Sequence, residues 1–139
     1  MVRFTAPILF IVTLCTLLLT APVLAESEND WQNYKLQCLL KDHRILQATD
    51  RLCNRDLHVP SGVGQIGESY ARNQRLNVLP NQRCLMDGRM NMKSNVWVPK
   101  YWCERQFWKT CAQGNSKGRG SQMFGGKGCQ HFLISDFPE

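Results

Sequence analysis

The sequence predicts a small α+β domain held by disulfides, with an antiparallel sheet carrying one or two helices on one face. Three observations lead there. Residues 26–139 hold an even set of cysteines, Cys38, Cys53, Cys84, Cys103, Cys111 and Cys129. Apolar residues recur at helical spacing in 42–53 and 99–111, but at spacing two in 31–40 and 130–135. Between these segments lie Gly, Pro and Asp-Gly turn signals.

The N-terminus predicts the compartment. Arg3 precedes an apolar run from Ile8 to Leu19, followed by Thr20, Ala21, Pro22 and the small-residue site Val23-Leu24-Ala25. That is the order of a secretory signal peptide, with cleavage expected after Ala25. The run is shorter than the roughly 20 residues that span a bilayer, and Pro22 closes it. Residues 1–25 are therefore read as a leader that removes Cys15, and 26–139 as one secreted domain. In an oxidising compartment its six cysteines form three disulfides, of open connectivity. Zinc is disfavoured, because the cysteines lack C-x2-C spacing and His43, His58 and His131 form no H-x3-5-H pair. No metal or other cofactor is expected.

Along the mature chain, 26–30 is polar and expected to fray. In 31–40, Tyr34, Leu36, Cys38 and Leu40 alternate with Asn33, Lys35 and Gln37, which predicts a strand. Asp42 then caps a helix with Ile45, Leu46, Thr49, Leu52 and Cys53 on one face. Pro60, Gly62, Gly64 and Gly67 mark a loop, and 68–78 fits either a short helix or an irregular strand. Asp87-Gly88 between 83–86 and 89–92 predicts a hairpin, with Met86, Met90 and Met92 as core filler. Pro99 suits the first turn of a helix through KYWCERQFWKTC, which places Cys103, Phe107 and Cys111 on one face. A strand would align the same three with Arg105 and Lys109. In either case Cys103 and Cys111 need different partners. Residues 130–135 form the last strand.

Charge is unevenly spread. Residues 26–69 carry 5 basic and 7 acidic side chains, whereas 70–131 carry 11 basic side chains against Asp87 and Glu104 alone. Such a positive half favours phosphate, sulfated glycan or acidic membrane surfaces, or serves as a solvated face. Its densest stretch is Cys111 to Cys129, where six of nineteen residues are glycine and Lys117, Arg119 and Lys127 are the only charges. We read it as the exposed tip of a bridged scaffold and these three cations as binding residues. Gly126-Lys127-Gly128 lacks the hydroxyl residue of a P-loop.

Trp97, Trp102 and Trp108 interleave with Lys100, Arg105 and Lys109. Rings beside cations suit sugar or single-stranded nucleic acid, while packing predicts that most of these rings form core and one Trp stays exposed. For catalysis, His58, Glu68, His131 and Arg72 supply the residue types of an RNA-cleaving site, without diagnostic spacing. No G-x-S-x-G occurs.

The segment WKTCAQG followed by RGSQMFGGKGCQHFLI resembles the C-terminal part of small secreted cysteine-rich proteins of filamentous fungi, which include candidate plant effectors. The likeness covers roughly residues 107–134. It implies an exported, fungal protein acting at a host or competitor surface, and admits killer-toxin-like α/β sandwiches, though this chain has no Lys-Arg processing site. The group brings no catalytic residues. The expected function is thus a monomeric, basic, non-enzymatic effector- or toxin-like protein that binds an extracellular partner such as an anionic surface or glycan. A ribonuclease or RNA binder and a glycan-binding module are the alternatives.

Overall fold

A computed structural model describes residues 25–61, 64–88, 90 and 95–136. Residues 1–24 of the expected leader, the Gly62 turn position and, in the second half of the expected hairpin, Arg89, Asn91 and Met92 lie outside the described residues. Ten elements follow in order: α1 (Glu28–Lys41), α2 (His43–Leu52), β1 (Leu57–Pro60), β2 (Ile66–Ala71), β3 (Gln74–Pro80), α3 (Gln82–Met86), β4 (Asn95–Val98), α4 (Lys100–Gln113), β5 (Gly120–Phe124) and β6 (Gln130–Asp136).

The main sheet is antiparallel with strand order β2-β3-β6-β5, and β1 pairs with β4 in a separate two-stranded ribbon. Its register places Leu76 opposite Ile134 and Val78 opposite Phe132. These four side chains are buried and share one face, because alternate strand residues point the same way. Helices α2 and α4 pack on the sheet, and α1 lies against both helices as an outer layer. The fold is α+β, as the sequence predicts.

Helix α4 is the centre of the molecule. It buries Cys103, Phe107 and Cys111 on one stripe, and the Phe107 ring meets Phe132 edge-on at 4.7 Å. The stripe is also the covalent hub: Cys103 bonds Cys53 at the end of α2, and Cys111 bonds Cys38 of α1. The third bridge, Cys84–Cys129, ties α3 to the start of β6. Three disulfides are the usual mark of a chain matured in an oxidising compartment. Among the described residues no helix is long and apolar enough to cross a membrane.

Three local expectations are corrected. Residues 31–40 are helical, not a strand. Trp31 and Cys38 are the buried positions, seven apart, whereas the alternating Leu36 and Leu40 are exposed. A capping box starts this helix in the stretch expected to fray: Ser27 accepts from the Asp30 amide while the Asp30 carboxylate accepts from the Ser27 amide. Residues 83–86 are likewise helical. Asn81 caps α3 through the Arg83 amide, and Gly88 takes its positive φ of 67° just beyond that helix, a place left-handed glycine suits as well as a hairpin turn. Met86 is consequently 79% exposed rather than core, while Met90 packs against the core. The open segment 68–78 is a hairpin of β2 and β3, turned by Asn73 at φ 58°.

Candidate functional site

The glycine-rich stretch is not one loop. Strand β5 runs through its middle, so Lys117 and Arg119 precede the strand while Lys127 follows it in the β5–β6 turn. Five residues of strand separate the two groups by roughly 15 Å. The expectation of a single exposed basic tip is corrected accordingly.

Glycine has a specific task before β5. Gly118 is buried at φ 74°, and a Cβ there would come 2.8 Å from Cys111 Sγ and 2.9 Å from Ile45 Cδ1. Only glycine lets this turn press onto the Cys38–Cys111 bridge. Asn115 closes the turn, its Oδ1 accepting from the amides of Lys117 and Arg119 at 2.9 and 3.0 Å. The turn thereby faces the corner between α1 and α2.

Between them lies an open cleft of about 690 Å³, lined by Lys41, His43, Arg44, Lys117 and Arg119, with Asp42, Gln74, Leu39 and Leu40. Three chain segments supply its basic groups. Lys41 Nζ donates to the carbonyls of Cys111, Ala112 and Gly114, at 3.2 Å for Cys111 and 2.9 Å for Gly114. A cation there also meets the negative end of the α4 dipole. Arg44 grips Asp42 through Nε and Nη2 at 2.9 and 2.7 Å, and Arg119 pairs with Asp136. Lys117 stands exposed at the rim, and Leu40 beside it is 78% exposed.

Asp42 joins cleft to fold, since its Oδ1 also accepts from the Arg44 amide at 3.0 Å as the cap of α2. The Arg44 side chain first, and then its amide, hold the Asp42 carboxyl below its ordinary value against the opposing effect of burial. The folded state therefore binds this proton less readily than the unfolded chain. Its contribution is present above the unfolded pKa of about 3.9 and is lost as pH falls through the lower folded value. Asp42→Ala is expected to cost about 1 kcal/mol at neutral pH. It should also flatten the acid limb of stability below about pH 4. Urea midpoints measured from neutral to acid pH check this, and an unchanged acid limb would refute it.

The aromatic segment divides. Trp97 and Trp102 are 54% and 43% exposed, but Trp108 is 5% exposed and belongs to the core, so it is corrected as a binding residue. Two tryptophans are exposed where one was expected. Two of the three interleaved cations of α4 are taken up by ion pairs: Arg105 pairs with Glu28 at 2.7 Å and Lys109 with Glu26 at 2.6 Å. The acidic N-terminal segment thus neutralises part of the basic half, an arrangement invisible in the charge count.

The catalytic alternative is not assembled. Glu68 sits opposite Leu76 of β3 and bonds Arg51 at 2.8 Å, whereas His131 sits opposite Leu79 and meets Ser121 Oγ at 2.6 Å. Three residues along the sheet and two strands across it separate their backbones by roughly 14 Å, on opposite faces. His58 pairs with Trp97 in the other sheet, and Arg72 lies in the β2–β3 turn. Burial lowers the pKa of His131, the direction expected for a neutral imidazole in a strand.

Lys41, His43 and Arg44 were missed as cleft residues by sequence reasoning. The Asp42 cap marked the junction between helices, but reading 31–40 as a strand concealed the helical corner. Comparison with protein-family models, curated proteins and solved structures finds no match.

Proposed function

We propose that this is a secreted, non-enzymatic binding protein of the effector- or toxin-like kind, attaching to an anionic component on the surface of a host or competitor cell. The observation that carries the reading is the cleft, where Lys41, His43, Arg44, Lys117 and Arg119 converge from three segments onto one open surface. Leu36, Leu39 and Leu40 are exposed along the adjoining face of α1, so the surface combines cations with apolar side chains. Such a combination suits an anionic headgroup above an apolar layer. The leader-like N-terminus, three disulfides and the resemblance of 107–134 to small secreted fungal proteins support export.

Sedimentation with phosphatidylcholine vesicles, with and without phosphatidylserine, tests the reading. The protein should bind the anionic vesicles and release them as salt rises. Lys117→Ala combined with Arg119→Ala should weaken binding about tenfold or more, since each basic residue near such a surface contributes about 1 kcal/mol. Equal binding to both vesicle types, or unchanged binding by the double variant, would refute the assignment of this cleft.

A further inference from the structure

A second surface lies at the other end of α4, roughly 20 Å along the helix from the basic cleft. It is a groove of about 240 Å³ lined by Pro99, Trp102, Gln106, Gly125 and Gln130. None of these residues is charged, so the groove offers an anion no partner.

Its aromatic wall is held in place. Trp102 meets Trp31 at 6.0 Å and Tyr101 at 5.0 Å, both edge-on, while 43% of it remains exposed. Neighbouring Trp97 is fixed by its indole N–H, which donates to Asp56 at 3.1 Å, and Asp56 is anchored by the Lys100 amide at 2.8 Å. Exposed indoles braced in this way lose little freedom when a ligand stacks on them.

The polar wall holds two acceptors that no donor among the described residues reaches. Gln130 Nε2 donates to the Trp97 carbonyl at 2.8 Å, which identifies the nitrogen and leaves Oε1 as an acceptor. Gln130 Oε1 has no hydrogen-bond partner among the described residues. The same holds for Gln106 Oε1, on a side chain from a residue only 7% exposed. Two sheltered acceptors without donors, beside an exposed indole, call for a ligand with a flat C–H face and hydroxyl groups at its edge.

We propose that this groove binds an uncharged sugar ring of a polysaccharide, with Trp102 stacking on the ring and Gln106 and Gln130 accepting from its hydroxyls. Gly125 borders the site at φ 83°, where a Cβ would come 3.2 Å from the Gln130 side chain; glycine there leaves that amide uncrowded. The site is independent of the basic cleft, and its binding should not depend on salt.

The test is retention of the protein on insoluble chitin, β-1,3-glucan, cellulose and mannan, at low and high salt, with tryptophan fluorescence titration by the matching soluble oligosaccharides. At least one polymer should retain the protein equally at both salt concentrations. Trp102→Ala should weaken that binding about tenfold, the scale of losing one stacking ring. Gln106→Leu, which keeps the volume and removes the acceptor, should weaken it several-fold, so the outcome does not hang on the tryptophan variant folding. The Lys117→Ala, Arg119→Ala double variant should bind the polymer like the parent, which separates this site from the anionic one. Failure of all four polymers, loss of retention at high salt, or parent-like binding by Gln106→Leu would overturn the proposal.

Discussion

Replacing Cys38 and Cys111 together by alanine is expected to lower the unfolding free energy by about 4 kcal/mol. This bridge spans 73 residues, the longest separation of the three, and restricting so long a loop removes much of the entropy of the unfolded chain. Both cysteines are fully buried, so their loss also loosens the contact of α1 with α4. A domain of this size has a total stability of about 5–15 kcal/mol, and the variant should sit near the edge of folding. Urea unfolding followed by circular dichroism reads the change. A loss below about 1 kcal/mol would mean that the α1–α4 contact carries the outer layer without the bond. The function has a stake in the result, because Gly118 packs against the Cys111 sulfur and the turn bearing Lys117 and Arg119 rests there.

Phe107→Ala should be nearly as damaging, costing about 3–5 kcal/mol. Phe107 is wholly buried midway along α4, between the two cysteines that bridge to α1 and α2. Its ring meets Phe132 of β6, which in turn meets Phe124 of β5 at 5.3 Å. Truncation would open a cavity at the junction of helix and sheet that three disulfides prevent from closing by collapse. The melting temperature should fall by about 15 °C, while Phe107→Leu should recover most of that loss. If Phe107→Ala melts within a few degrees of the parent, α4 is held to the sheet by other contacts.

Both expected losses centre on α4, a helix legible in the amino-acid sequence. Pro99, the aromatic density and the spacing of Cys103, Phe107 and Cys111 identify the helix and its inner stripe. α2 is equally plain, because Asp42 and the apolar positions behind it lie within a few residues of one another. β6 announces itself by alternation. The error at α1 has an instructive cause: Leu36 and Leu40 fall at spacing two with Tyr34 and Cys38 but face solvent, and their apolar character misleads a reading that assigns apolar side chains to the interior. The Ser27 to Asp30 capping box is the counter-signal. The hairpin expected at Asp87-Gly88 fails differently, since a left-handed glycine ends a helix as readily as it turns a hairpin.

The candidate site is half visible in the sequence. Lys117 and Arg119 stand out within their glycine-rich stretch, but their separation from Lys127 by β5, and their meeting with Lys41, His43 and Arg44, depend on strand pairing and on the α1–α2 corner. In the same way Arg105 and Lys109 read as free cations until folding brings Glu28 and Glu26 to them.

By itself the sequence determined the expectation of three bridges, the α+β class, the caps and turn glycines of individual elements, and an excess of positive charge in the second half. These follow from interactions within a few residues, or from composition. Only the tertiary structure decided which cysteines pair, which tryptophans remain exposed and which cations are neutralised. The cysteine pairings, and the pairing of Arg105 and Lys109 with Glu28 and Glu26, join residues far apart in the chain, 45 positions for Cys84–Cys129 and 77 for Arg105–Glu28, across packed interfaces where burial and geometry override local preference.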